Sequence, residues 1–361
     1  MSTNEVTQQP SETWNEILSQ GQVWQATLHE LKQSTVPDRI LKASGTSRSW
    51  LFVGCGTSFY LAEAAATSWT LLTGEPARAV PASEILLYPA LSHRGEADAH
   101  AVVISRSGRT SEAVRAATAL KNDLHISTFG ITCAQESPLE AVCDTTIVLR
   151  AADEISTVMT RSFTSMLLSL QYLAARRCGN DLFVQSLSEM AEQFSEHIPS
   201  LAEKIESFVR KTIVDDYIFL GQGPFHGIAR EAALKVMEMS CSYSQFFHAL
   251  EFRHGPKAIV SPQTCLTFFL SETAQQTEKE VLQEMKELGG VIVAVCNHAD
   301  ASIRRCSDLL VEMNLPVNEL ALLAPYTVPA QLLGFFTGRN KGLNPDQPKN
   351  LTRVVILDSQ R

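Results

Sequence analysis

Glu231, Lys235, Glu238, Glu251 and His254 crowd an otherwise apolar stretch between Arg230 and Pro256. At about 100° per residue, positions 231, 235 and 238 share one helical face. His254 follows in Glu251-Phe252-Arg253-His254-Gly255-Pro256, where Gly and Pro signal a turn. Two carboxylates, an amine and an imidazole around one site are the groups that proton transfer needs. The same spacing also fits a Glu–Lys ladder on a solvated face, worth a few tenths of a kcal/mol. This segment alone leaves both readings open.

The elements that must position these groups are legible from periodicity. Trp50-Leu51-Phe52-Val53 is a short apolar run ending in Gly54-Cys55-Gly56-Thr57-Ser58, and an Ala-rich helical stretch follows from Tyr60 to Leu72. Ala101 to Ile104 leads into Ser105-Arg106-Ser107-Gly108-Arg109-Thr110 and a helix over Ser111 to Lys121. Ile126 to Thr132 and Asp144 to Leu149 read as further strands. The second half repeats the order: Tyr217 to Leu220 runs into Gly221-Gln222-Gly223, and Val291 to Cys296 and Asp308 to Val311 follow. Gly221 follows Gly54 by 167 positions and Asp308 follows Asp144 by 164, so one unit is present twice. Alternating strands and helices imply a parallel sheet covered on both faces, hence an α/β fold. A long helical region over about residues 160–212 joins the copies, with Gly179, Asn180 and Pro199 at helix ends. The start, residues 11–45, reads as amphipathic helix with an exposed, polar beginning.

Thr57 and Ser58 end one turn, and Ser105, Ser107 and Thr110 line the other. Each turn opens a helix, where free N–H groups and hydroxyls suit an anion, and Arg106 can add a bidentate contact. Plain N-capping is the competing account. Two such glycine-bearing turns at adjacent strand ends favour a ligand. Phe59 and His226 stand where a dinucleotide fingerprint needs Gly or Ala, and no Gly-x4-Gly-Lys-Ser/Thr is present. The phosphate therefore belongs to a small sugar or metabolite.

The 361 residues allow about two domains, and the net charge of −9 carries no basic run for nucleic acid. Met1 to Pro10 lacks the apolar core of a signal peptide, and no run approaches a membrane span. Eight scattered cysteines form no Cys-x-x-Cys, which suits reduced thiols in the cytoplasm and no zinc site. Cys55 reads as a small residue packed under its loop, His226 as a turn histidine, and His248 as packed or interfacial.

At these motifs the chain resembles the sugar isomerase (SIS) family, with two SIS domains in tandem. It is similar to the isomerase half of glutamine–fructose-6-phosphate aminotransferase and to amino-sugar-phosphate deaminases and deglycases. The matching motifs are Gly54-Cys55-Gly56-Thr57-Ser58, Ala82-Ser83-Glu84, Ser105-x-Ser107-Gly108-x-Thr110 and Thr160-Arg161-Ser162-Phe163-Thr164. Glu231-x3-Lys235-x2-Glu238, Glu251-x2-His254-Gly255-Pro256 and Asn344 to Leu351 complete the set, which covers about residues 50–357. The resemblance implies that Ser58, Ser105, Arg106, Ser107 and Thr110 hold a sugar 6-phosphate, with Gly56, Thr57 and Thr160 among the binding positions. It implies that Glu238 moves the proton between C1 and C2. His254, supplied by the partner subunit of a homodimer, would open the ring, and Glu231 and Lys235 would support the substrate hydroxyls and Glu238. No metal or other cofactor is implied.

Two departures qualify the match. Ser2 stands where a glutaminase domain would carry its cysteine, so this chain is not expected to draw ammonia from glutamine itself. Arg353 replaces the lysine that handles the open-chain carbonyl, and an arginine forms no Schiff base but can polarise an oxygen. The sequence thus predicts a helical segment over 1–45, a first SIS domain with connecting helices over 46–200, a second over 201–330, and a helix end with an active-site tail over 331–361, in which the loop from Asn340 to Pro348, with Arg353 beside it, is expected to fold over the site as a lid. It predicts a cytoplasmic deaminase or deglycase first and an aldose–ketose isomerase next. The alternatives are an isomerase subunit fed ammonia by a separate glutaminase and a non-catalytic sugar-phosphate sensor.

Overall fold

A strand that is apolar on both faces has to be covered on both faces, and Leu51, Phe52 and Val53 are all fully buried. The computed structural model describes residues 11–45, 49–92 and 99–357; the expectations for Ser2 and the first ten residues lie outside these. Three helices lead in: α1 (Glu12–Leu18), α2 (Gln20–Gln33) and α3 (Val36–Ser44). The first sheet unit runs β1 (Ser49–Gly54), α4 (Thr57–Thr73), β2 (Ala77–Pro81), α5 (Ala82–Leu87), α6 (Pro89–Ser92), β3 (Ala99–Ile104) and α7 (Ser111–Asn122). It continues with β4 (Ser127–Thr132), α8 (Pro138–Val142) and β5 (Thr145–Val148). Its strands are parallel in the order β2-β1-β3-β4-β5.

Three helices then connect the units: α9 (Arg161–Cys178), α10 (Asp181–Ser195) and α11 (Ile198–Lys211). Gly179 ends α9 in the left-handed region, Asn180 caps α10 by accepting from Phe183 N at 3.0 Å, and Pro199 sits in the first turn of α11. The second unit runs β6 (Asp216–Gly221), α12 (Pro224–Ser240), β7 (Tyr243–His248), β8 (Thr264–Phe269), α13 (Gln275–Glu287), β9 (Val291–Cys296), α14 (Ala301–Cys306) and β10 (Leu309–Glu312). Its parallel order, β7-β6-β8-β9-β10, is that of the first sheet, strand for strand. The repeat extends to the backbone: Gly56 has φ 53° and ψ −126°, and Gly223 has φ 54° and ψ −127°. β2, β7 and β8 add to the strands read from sequence.

Helix α15 (Leu323–Asn340) closes the fold. With its preceding turn, Glu319–Asn340 is long and apolar enough by composition to cross a membrane, contrary to the expectation that no segment is. Its apolar 18-residue core is buried in the protein, which explains its lack of a polar face. It packs along α12, where any side chain at Gly338 would overlap the Met239 carbonyl. α12 also crosses α4, so the equivalent helices of the two units meet. A Cβ at Gly227 would lie 2.7 Å from Ala64 N, so only glycine allows that approach.

The lead-in corrects one expectation. α1 is not exposed at its start: Thr13, Glu16 and Ile17 are buried, because α1 is pinned between the 153–156 loop and the C-terminal loop.

Candidate active site

The strand order makes β1 and β3 neighbours whose following helices leave to opposite faces. α4 joins the central core, and α7 covers the other side through Ala113, Ala116, Ala117 and Leu120. Such a switch point leaves a crevice at the strand carboxyl ends. Both hydroxyl-bearing turns open there. Neither α4 nor α7 is capped by a side chain, so capping does not account for these hydroxyls. Ser105 Oγ lies 3.4 Å from Thr110 Oγ1, and Ser107 Oγ accepts from Arg109 N at 3.2 Å. Thr57, Ser58 and Ser105 are buried.

The acid–base cluster reaches this crevice from the second unit. On α12, Lys235 has its ammonium 3.3 Å from Glu231 Oε1 and in a short contact with Glu238 Oε2. The same ammonium donates to Thr57 Oγ1 at 3.1 Å. One buried amine thus ties the second unit's helix to the N-terminus of α4. The repeat shows what changed to allow it: Ala64 and Ser68 of α4 stand 167 positions before Glu231 and Lys235. The solvated-ladder account fails, because Glu231 and Lys235 side chains are fully buried and Glu238 is 17% exposed.

Burial decides the electrostatics. It pushes the Glu231 carboxyl up to about 8, helped by Glu238 and opposed by Lys235. Neither Glu231 oxygen receives an aligned hydrogen bond. Burial also opposes the charge on Lys235, but Glu231 and Glu238 outweigh it and the net shift is upward. The amine stays protonated beside Glu238, which alone in the trio opens toward solvent. A carboxylate held by a buried ammonium and partly open is suited to exchanging a proton with a ligand in the crevice.

The other expected site residues are placed as follows. Gly56, Thr57, Ser58, Ser105, Ser107 and Thr110 line the two turns. Arg106 is buried, and its guanidinium is spent on protein acceptors: Glu154 Oε2 at 3.5 Å, Ser156 O at 3.3 Å and Arg353 O at 3.1 Å. Thr160 is buried, and both its N–H and its hydroxyl donate to Glu154 Oε1 at 2.7 Å. The Arg353 guanidinium pairs with Asp153 at 2.9 Å and donates to the Glu154 carbonyl. His254 is exposed on the turn after β7, and its ring makes no hydrogen bond or ion pair among the described residues. Within the chain Lys235 joins Glu231, Glu238 and Thr57, and His254 bonds to none of them.

Sequence reasoning missed the buried carboxylates behind the cradle. Glu154 gathers Arg106, Thr160 and Ser162, and Glu16 receives Ile155 N at 2.6 Å and Ser156 N at 3.2 Å. Neither lies in a periodic pattern that marks it. Asp346 caps α1 by accepting from Ser11 Oγ at 2.8 Å and Thr13 N at 2.9 Å. The tail pairs with the start of α7: Ser111 N donates to Val355 O at 3.2 Å, and Leu357 N donates to Ser111 Oγ at 2.9 Å. Cys55 is half-buried, and burial then Glu112 push its thiol up to about 12, which leaves it no nucleophile. His226 lies in the first turn of α12 and stacks on the exposed His248 ring at 3.7 Å. Burial and the neighbouring His248 and Arg230 push His226 down to about 4.

Comparison with known proteins fits this geometry. The SIS domain model matches residues 46–176 and again 215–334. The chain is 27% identical over 343 residues to a glutamine–fructose-6-phosphate aminotransferase of Pyrobaculum aerophilum, covering 92% of this chain and 55% of that protein. It spans a little over half the length of the curated relatives it matches. A solved glucosamine-6-phosphate deaminase from Thermotoga maritima is 30% identical, with TM-score 0.80, covering 96% of this chain and 100% of that one. The Escherichia coli tagatose-6-phosphate ketose/aldose isomerase shares the fold, with TM-score 0.83 at 21% identity over 97% of both chains. With two matches covering most of its length and both parallel sheets in one strand order, the chain belongs to the SIS domain family.

Proposed function

We propose that this chain is an amino-sugar 6-phosphate deaminase or deglycase that works by 1,2-proton transfer. One observation carries the reading: the Lys235 ammonium joins Glu231 and Glu238 to Thr57, beside hydroxyls that cap no helix. The 6-phosphate sits in the cradle of Ser58, Ser105, Ser107 and Thr110, on the N-termini of α4 and α7. Arg106 lies at its edge. Glu238 takes the C2 proton of the open-chain aldehyde and returns it to C1, through an enolamine. Water then adds to the C2 imine and ammonia leaves; with a 1-amino-ketose the same base moves the C1 proton to C2, and water releases the amine from the C1 imine. Fixed donors, including Lys235, stabilise the oxyanion that develops at O1. The route uses side chains and water.

The exposed His254 belongs in the site of a second copy, so the working form is a homodimer in the cytoplasm. The tail around Arg353 covers the bound sugar. Arg353 is committed to Asp153 and the Glu154 carbonyl, which suits anchoring this cover better than binding a carbonyl.

The test is incubation with glucosamine 6-phosphate and a panel of fructosamine 6-phosphates in deuterated water. Ammonia release from glucosamine 6-phosphate with deuterium at C1, or amine release from a fructosamine 6-phosphate with deuterium at C2, is the expected result. Deuterium uptake without release would make the chain an aldose–ketose isomerase. Tight phosphosugar binding with neither release nor exchange would leave it a sensor and refute both catalytic forms.

A further inference from the structure

We infer that the N-terminal helix α1, which lies outside the two SIS matches, is part of the site's support, with Glu16 as a positioning residue for Arg106 and the C-terminal tail. The inference rests on the proposed phosphosugar reading for its affinity arm only.

Glu16 is 2% exposed, and every hydrogen bond to its carboxylate comes from one loop. Oε1 accepts from Ile155 N and Ser156 N, and Oε2 accepts from the Ser156 hydroxyl. That loop holds the cradle from behind. Ser156 O and the Glu154 carboxylate take two bonds from Arg106, and Asp153 and the Glu154 carbonyl take the Arg353 guanidinium. Arg106 in turn donates to Arg353 O. A carboxylate on α1 thus fixes the acceptors that orient both arginines. Asp346 grips the N-terminus of the same helix through Ser11, Glu12 and Thr13, so the root of the tail and its anchor near the cradle refer to one element. A buried carboxylate this close to Glu154 is costly to keep. An apolar residue would suffice if α1 only packed.

Glu16→Ala deletes all three bonds and Ser156→Ala deletes one, so the second variant serves if the first does not fold. Two readouts separate positioning from bulk stability. The first is hydrogen–deuterium exchange of a peptide covering 351–357, whose Leu357 amide is bonded to Ser111 Oγ. It should speed up at least about fivefold, while exchange in β1 and β3 stays as in the unaltered chain. The second is the split between affinity and rate. The dissociation constant for glucosamine 6-phosphate should rise about tenfold, with the rate at saturation within about threefold. Unchanged tail exchange in a folded variant overturns the inference, and so does a lower saturated rate at unchanged affinity. If the unaltered chain binds no phosphosugar, the functional reading falls and tail exchange alone decides the role of Glu16.

Discussion

Glu231→Gln should flatten the dependence of stability on pH, by an amount the structure sets. The Glu231 side chain is fully buried, and its carboxyl is pushed from an ordinary 4.5 up to about 8. Its folded pKa is raised, so its stabilising contribution is fully present below about pH 4.5 and is lost as pH rises through 8. At about 1.36 kcal/mol per unit, the change between pH 5 and pH 8 is about 3.5 kcal/mol, allowing for partial titration at each end. Glutamine has nearly the same volume and no proton to lose, so other titrating groups cancel between the two proteins. Urea unfolding of both at pH 5, 6.5 and 8 measures the difference directly. Stability of the unaltered chain should fall relative to Glu231→Gln as pH rises, by about that amount. Parallel pH profiles would refute the reasoning. They would mean that Lys235 neutralises the burial and that Glu231 ionises as an ordinary carboxylate.

Glu238→Gln should abolish exchange of solvent deuterium into the sugar while phosphosugar affinity stays within several-fold; persistent exchange would move the base elsewhere. Thr57→Val removes the hydroxyl that accepts from the buried Lys235 ammonium at 3.1 Å. It should cost about 1–2 kcal/mol in urea unfolding, the usual scale for leaving one N–H of a buried ammonium without an acceptor while Glu231 and Glu238 remain beside it. Gly108 has φ 59°, and a methyl there would overlap the Ser137 hydroxyl. Gly108→Ala should therefore distort the cradle and weaken inorganic phosphate binding, read by calorimetry, by about tenfold, with an added strain of roughly 1–2 kcal/mol.

Much of this was legible because it is local. The runs at Trp50, Ala101, Tyr217 and Val291 show apolar strands followed by turns, and Gly54/Gly221 show the repeat without any alignment. The shared face of Glu231, Lys235 and Glu238 follows from helical spacing alone. Weaker elements escaped. β2 is an edge strand, Ala77-Arg78-Ala79-Val80-Pro81, with one paired neighbour and no alternation to mark it. β7 follows α12 after two residues and carries the mixed run Tyr243-Ser244-Gln245-Phe246-Phe247-His248. α1 was read as exposed because polarity is a poor guide where a carboxylate is buried against backbone N–H groups, as Glu16 is.

By itself, then, the sequence determined the repeated α/β unit, the two hydroxyl-bearing turns and the acid–base face, since each depends on residues within one or two helical turns. Only tertiary structure decided what those groups face. The crossing of α12 on α4, made close by Gly227 and Ala64, puts Lys235 against Thr57 across 178 positions of chain. Packing of α1 and the tail around residues 153–156 turns Arg106 and Thr160 toward Glu154. Such pairings are set by which buried charges find partners when helices dock, and no local periodicity records them.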